Sequence, residues 1–207
     1  AGEGERMNEH LTELRSFLKR DMQRLPLIFA GLFFLFCLIG YTVCTASPQL
    51  TESVVNYFNQ MLSDSGLADE AGNISFVGML MNNWFAMVFT ILYGFVPFLF
   101  LPVVTAASNA LIIGALAAFY RLNQISMAAF FAGIVPHGIF EIPALVLAVS
   151  LGFLLCRNIV RGILRSEKAV PMVDLLANIL RTMLFVIFPL LLIAALIKCY
   201  ITPGIMS

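Results

Sequence analysis

The fold is decided by the stretch SMAAFFAGIVPHGIFEIPALVLAVSLGFLLC, residues 126–156, whose only charged residue is Glu141. As a helix, these residues would extend about 46 Å, whereas the hydrocarbon core of a bilayer is about 30 Å thick. The stretch therefore predicts a membrane-spanning helix that is tilted, extended or broken. Pro136, Gly138 and Pro143 favour a break, because proline removes a helical hydrogen bond.

The composition of the whole chain is that of a membrane protein. Of its 207 residues, 60% are hydrophobic and 12% are charged, whereas soluble domains are about 45–50% apolar and about 25% charged. Its mean hydropathy is +0.94. The formal net charge is zero, so no overall field attracts a polyanion, and we expect no nucleic-acid partner.

Other apolar segments predict about four further spans. The first is PLIFAGLFFLFCLIGYTVCT, residues 26–45, and the last is residues 182–201, which we expect to be kinked at Pro189. Residues 84–120 are uncharged and long enough for two short spans, although a re-entrant hairpin would give the same pattern. The sequence therefore predicts an all-α polytopic membrane protein with about five transmembrane helices, of which the fourth is broken.

The domain organisation follows from the flanking segments. Residues 1–6, AGEGER, precede Met7 and have the character of a tag remnant. Residues 7–25 predict a cytoplasmic amphipathic helix, and residues 26–201 a single transmembrane domain that includes an outer loop, 46–83. The apolar face of the amphipathic helix consists of Leu11, Leu14, Leu18, Met22 and Leu25.

The positions of the basic residues predict the orientation. If the N-terminus is inside, ten lysines and arginines are cytoplasmic, and only Arg121 and Lys198 face out. The positive-inside rule therefore predicts an N-in, C-out topology. The ten are Arg6, Arg15, Lys19, Arg20, Arg24, Arg157, Arg161, Arg165, Lys168 and Arg181.

Four polar residues near the outer face form a candidate site, which we call the polar cluster: Asn82, Asn83, His137 and Glu141. His137 and Glu141 are four residues apart and would share one helical face if the helix is continuous. A carboxylate in hydrocarbon must be paired, neutral or in contact with water. The cluster is therefore either structural, with the asparagines capping the broken helix, or a ligand-binding site.

The sequence carries no recognisable catalytic motif, and we expect no enzymatic activity. It contains no HExxH, GxSxG or Walker A motif. His137 and Glu141 supply at most two ligands for a metal, so the expected cofactor is none, with a divalent cation as the alternative. The four cysteines lie in or beside apolar runs, which predicts buried thiols.

The outer loop contains a candidate partner-binding helix. Residues 47–82 contain no lysine or arginine but several acidic residues. One face of a helix there would be apolar, which predicts a short helix on the membrane surface. The residues of this predicted partner-binding face are Leu50, Val54, Tyr57, Phe58, Met61 and Leu62.

The chain resembles a known family at specific residues. The run IVPHGIFEIPALVLAVSLG, residues 134–152, closely resembles the signature of the stage II sporulation protein M family of bacterial integral membrane proteins. Asn82 and Asn83 at the start of span two, and residues 109–114 in the next element, are similar to other recurrent positions of that family. The resemblance extends over residues 27–201, although span one keeps Gly40 without the denser small-residue pattern of the family.

The resemblance implies a non-enzymatic role in the bacterial cytoplasmic membrane. The family's namesake recruits and localises peptidoglycan-degrading proteins, stage II sporulation proteins D and P, during engulfment. We accordingly expect a multi-pass membrane scaffold, a homodimer, whose outer loop binds such partners and whose polar cluster is structural. The alternative is a protein that binds or transports an ion, metal or small solute at the polar cluster.

Overall fold

The computed structural model describes residues 3–64 and 75–202, and these residues form helices without any strand. Short 3₁₀ or π-helical turns at Tyr93–Phe95, Met183–Ile187 and Ile197–Ile201 continue three of the helices. The helices are α1 (Glu3–Arg20), α2 (Leu25–Ala46), α3 (Pro48–Asp64), α4 (Phe76–Leu92), α5 (Leu101–Leu122), α6 (Met127–Ile163), α7 (Met172–Thr182) and α8 (Phe188–Leu196).

Five helical segments within the described residues are long and apolar enough to cross a membrane, which confirms the predicted all-α, five-span fold. Residues 84–120 contribute to two separate helices rather than a re-entrant hairpin. The connection between them turns at Phe98 and Phe100, whose φ angles of 67° and 47° are left-handed. The five segments are Leu25–Ala46, Phe76–Phe95, Leu101–Leu122, Met127–Ile163 and Met172–Ile201.

The predicted break in the fourth span is wrong, because α6 is one continuous helix of 37 residues with Pro136 and Pro143 inside it. Each proline costs the helix one hydrogen bond, but its φ angle is compatible with helical geometry. At 1.5 Å per residue α6 is about 55 Å long. A continuous α6 is thus longer than the hydrocarbon core, which leaves tilt or extension beyond the core as the ways to accommodate it.

The last span, not the fourth, carries the helical irregularity. Met183–Ile187 forms a π-helical turn, in which the amide of Phe188 donates to the carbonyl of Met183. Pro189 follows directly at the start of α8. The expected disturbance near Pro189 is thus a π turn on its N-terminal side, a common way to absorb a missing hydrogen bond.

Among the described helices, α2 and α5 make the most extensive contact. A Cβ atom at Gly40 would lie 2.6 Å from the carbonyl oxygen of Leu111, and one at Gly114 would lie 2.7 Å from the amide nitrogen of Tyr41. Ala110 and Ala118 are fully buried beside these contacts. The small residues of α5 therefore form a close-packing face, and Gly40 lies opposite it on α2.

Helix α6 forms the centre of the bundle, because its second half is buried on nearly all sides. Val149, Leu151 and Leu155 are fully inaccessible and belong to one apolar core with Ile187 and Leu191 of the last span. Helix α4 runs parallel to α6. The two backbones meet where a Cβ atom at Gly152 would lie 2.8 Å from the carbonyl oxygen of Thr90.

Helix α1 packs against the end of the bundle at which most of the basic residues lie. It begins at Glu3, earlier than predicted, and ends at Arg20, so Leu25 begins α2 instead. Leu14, Phe17 and Met22 are almost completely buried, whereas Leu11 is exposed. Helix α1 is also joined to the last span by an ion pair between Glu13 and Arg181.

Candidate functional site

Helix α3, in the predicted outer loop, is anchored to the transmembrane helices. Only Ser47 separates it from α2, and the hydroxyl of Thr51 donates to the carbonyl of Cys44 at 2.7 Å. Thr51 and Val55 are buried, and Val54 packs on a small cluster of Cys44, Ala115 and Ala118. Helix α3 is therefore a fixed element that lies against the last turns of α5.

This docking divides the predicted partner-binding face. Val54 and Phe58 are half-buried, and Val54 packs on the bundle, so these two residues offer a partner less surface than predicted. Leu50, Tyr57 and Met61 are exposed by 41%, 67% and 46%. We call these three residues the α3 outer face. The side chain of Leu62 lies outside the described residues.

Asn82 and Asn83 lie inside helix α4 and do not open it, contrary to the prediction. The helix begins at Phe76, and its N-terminus is capped by Ser75, whose side-chain oxygen accepts from the amide of Gly78 at 3.2 Å. Asn82 is exposed, whereas Asn83 is only 7% exposed and lies in the buried stripe of α4. The side-chain nitrogen of Asn83 has no hydrogen-bond partner, so it does not act as a cap.

His137 and Glu141 lie on the continuous helix α6 and are both half-buried. The buried Nδ1 atom of His137 has no hydrogen-bond partner, and none of the ion pairs in the described part of the chain joins His137 to Glu141. The shared helical face therefore does not bring these two described side chains into an ion pair. Lys198, in the final π-helical turn, is close enough to His137 to interact with it electrostatically.

The register of α4 against α6 shows how the polar cluster is arranged. A Cβ atom at Gly152 of α6 would lie 2.8 Å from the carbonyl oxygen of Thr90 in α4, and Gly94, in the 3₁₀ turn that follows α4, also approaches the backbone of Gly152. Because the helices run parallel with equal rise, this register implies that Asn83 lies at about the depth of Glu141 and the turn after it. His137 precedes Glu141 by four residues, so it lies about 6 Å nearer the start of α6.

The cluster lacks the donor set of a common metal site. No group of three or more histidines, cysteines, aspartates or glutamates converges anywhere in the described part of the chain. The four cysteines form no disulfide and are buried or half-buried, as expected. A cation here would need the amide oxygens of Asn82 or Asn83 beside Glu141, so divalent-cation binding stays a prediction.

We predict that Asn83→Leu leaves the thermal stability of the purified protein unchanged or raises it. The side-chain nitrogen of Asn83 is buried without a partner, and replacing such a group by an apolar one of similar shape removes a desolvation cost of about 1–3 kcal/mol. The measurement is the midpoint of thermal unfolding in detergent. A fall of several degrees would show that Asn83 makes a stabilising interaction after all.

Several residues that organise the molecule were not identified from the sequence. Phe17 is almost fully buried, yet it lies between Leu14 and Leu18 on the helical face and could have been found by periodicity. Asn158 is 7% exposed and binds the backbone of Val170 through both of its amide atoms. No sequence pattern indicates that contact, because it joins residues across a loop.

The fold and the buried, helix-borne polar groups define a class of protein, a multi-pass helical membrane protein. A family-wide sequence profile described as Stage II sporulation protein M matches residues 29–203. The chain belongs to that family, and it is therefore a membrane protein of a sporulation-related family. The family is not a known enzyme family.

The chain is also similar to a protein whose role is unassigned. It is 29% identical over 147 residues to an uncharacterized protein of Methanocaldococcus jannaschii, and the match covers 70% of this chain and 81% of that protein. No solved structure is significantly similar to the chain.

Proposed function

We propose that this protein is an integral membrane scaffold that recruits peptidoglycan-remodelling proteins of the stage II sporulation protein D and P type, as in engulfment. The observation that carries the proposal is the α3 outer face, an exposed apolar and aromatic surface on a helix that is otherwise fixed to the bundle. Tyrosine and methionine are enriched at protein interfaces. Family membership supports a role of this kind.

A rigid helix is suited to recruitment because little conformational freedom is lost on binding. Thr51 and Val55 hold one side of α3 against the bundle, which leaves Tyr57 and Met61 directed away from it. The helix carries Glu52 but no lysine or arginine. It therefore offers a partner an apolar surface without a basic patch.

The proposed setting is the bacterial cytoplasmic membrane, with the N-terminus inside and α3 outside, and with the protein acting as a homodimer. The support for this orientation is the grouping of basic residues. Helix α1, the end of α6 and Arg181 of α7 lie at one end of the bundle and are joined by the ion pair of Glu13 with Arg181. Basic ends of membrane proteins face the cytoplasm.

The experiment identifies the proteins that co-purify from native membranes with the wild type and with two double variants, and compares the three sets. Tyr57→Asp with Met61→Asp places two charges on the α3 outer face, and we expect this form to lose its peptidoglycan-remodelling partners. The matched control, Asn56→Asp with Asn59→Asp, adds the same charges to exposed polar positions of the same helix. Equal recovery of partners by all three forms would contradict the proposal.

A second candidate function, binding or transport of an ion or small solute, is favoured by the unpartnered nitrogens of Asn83 and His137. Such buried polar groups are costly unless a ligand or water satisfies them. This function predicts a flux of ions into proteoliposomes that Glu141→Gln removes while the protein remains folded. A scaffold predicts no flux, and only a loss of stability in that variant.

A further inference from the structure

A cleft of about 210 Å³ lies at the basic end of the bundle, between the end of α1, the last turns of α6 and the start of α7. Its charged walls are Arg20, Asp21, Arg157, Arg161 and Asp174. Three arginines against two aspartates give the cleft a net charge of one positive unit. It is separate from both the polar cluster and the α3 outer face.

Two of the three arginines in this cleft have no acidic partner among the side chains that the structure describes. Arg20 binds Asp21 through two nitrogens, at 3.0 and 2.9 Å. No carboxylate whose side chain the structure describes lies within 4.0 Å of Arg157 or Arg161. Asp21 is near enough to influence Arg157, but its Oδ2 atom is bonded to Arg20.

The environment of Arg157 makes this lack of a partner significant. Its side chain is half-buried, and its guanidinium carbon lies 5.9 Å from the centre of the Phe153 ring. A contact with an aromatic ring offsets part of the cost of taking a cation out of water. It leaves the hydrogen-bond donors of the guanidinium free for an anion.

The cleft is preformed rather than dependent on a mobile loop. Asn158, which is 7% exposed, donates to the carbonyl of Val170 at 3.0 Å and accepts from its amide at 2.9 Å. These two hydrogen bonds fix the segment between α6 and α7 against α6. The arginines on the last turns of α6 are thereby held beside the start of α7.

Exposed apolar residues adjoin the cleft. Ile163, Leu164 and Val173 are exposed by 55%, 67% and 78% on the adjoining segments. Phe17 and Leu154 contribute apolar walls to the cleft itself. Such a site, with basic walls and apolar surroundings at the end of transmembrane helices, is typical of lipid headgroup binding.

We propose that this cleft is a phosphate-binding site in which Arg157 and Arg161 contact the anion. Guanidinium groups bind phosphate oxygens with paired, charge-assisted hydrogen bonds. The phosphate belongs either to the headgroup of an anionic phospholipid or to a soluble ion. Binding would supply the negative charge that the two arginines lack, and it would tie α1, α6 and α7 together.

The test measures binding of three probes to the purified full chain in detergent. The probes are short-chain phosphatidylglycerol, phosphatidylcholine of the same chain length, and inorganic phosphate. We expect phosphatidylglycerol to raise the midpoint of thermal unfolding more than phosphatidylcholine does. Arg157→Gln with Arg161→Gln should weaken phosphatidylglycerol binding by about ten- to a hundredfold, as expected for lost charge-assisted hydrogen bonds.

The control variant, Arg165→Gln with Lys168→Gln, removes the same charge from exposed positions outside the cleft and should retain binding. Arg161→Gln alone serves if the double variant does not fold. Equal stabilisation by inorganic phosphate would assign the site to a soluble anion and uphold the proposal. Equal weakening in the control variant, or no stabilisation by either anion, would overturn it.

Discussion

Gly114→Leu should strongly destabilise the helix bundle. A Cβ atom at this position would lie 2.7 Å from the amide nitrogen of Tyr41, and the neighbouring atoms are backbone of α2, which cannot move aside. Overpacking of this kind costs about 3 kcal/mol or more, which corresponds to a fall in Tm of about 6–12 °C. The measurement is the yield of monodisperse protein after detergent extraction, followed by thermal unfolding.

The control for this prediction is Gly31→Leu on α2. Gly31 is exposed, and a Cβ atom there would meet nothing within 4 Å. Leucine also has a higher helix propensity than glycine. We therefore expect normal yield and an equal or higher Tm. Similar behaviour of the two variants would show that α2 and α5 do not pack through Gly114.

Gly152→Ala should have the second-largest effect on stability, because the added methyl group would push α4 away from α6 at the centre of the bundle. The added methyl group would lie 2.7 Å from Cγ of Pro102 and 2.8 Å from the carbonyl oxygen of Thr90. Neither neighbour is a flexible side chain. We expect a loss of about 1–3 kcal/mol, measured as a lower Tm in detergent.

Gly138→Ala is the matched control on the same helix. A Cβ atom at Gly138 would lie 3.6 Å from Cγ2 of Ile134 and 3.7 Å from Cδ1 of Ile142, which are ordinary contacts. Its Tm should equal or slightly exceed that of the wild type, since alanine favours helix. If Gly138→Ala were as damaging as Gly152→Ala, the contacts described for α4 and α6 would be incorrect.

The number of spans could be predicted from the sequence because apolar length is a direct physical requirement of the bilayer. The close-packing face on α5 can also be inferred from the sequence, since small residues at helical spacing let backbones approach. The continuity of α6 could not be predicted from the sequence. Proline weakens a helix by a local amount, and the packing of residues 144–156 on all sides decides whether the helix breaks.

The polar cluster shows a different limit of sequence reasoning. The spacing of His137 and Glu141 indicates that they share a face, but a hydrogen bond also depends on rotamers and on neighbouring helices. The start of α4 was placed too late because Asn82 and Asn83 are polar, whereas Ser75 is the actual cap. Polar residues inside a span were thus taken for its boundary.

The apolar face predicted for α3 is divided in the structure between residues that dock on the bundle and residues that remain exposed. Helical spacing alone identified an apolar side, but it could not say which apolar residues would dock on α5. Thr51 takes part in that docking, because its hydroxyl bonds to the carbonyl of Cys44 at 2.7 Å. The remaining exposed residues are the surface on which the proposed scaffold function depends.

The most direct test of that function is site-specific photo-crosslinking in native membranes. A photoreactive phenylalanine replaces Tyr57 on the α3 outer face, and in a parallel strain it replaces Val173, which is 78% exposed at the opposite end of the molecule. A scaffold that recruits through α3 predicts adducts with peptidoglycan-remodelling proteins from position 57 and none from position 173. The absence of such adducts at position 57, or equal adducts at both positions, would contradict the account.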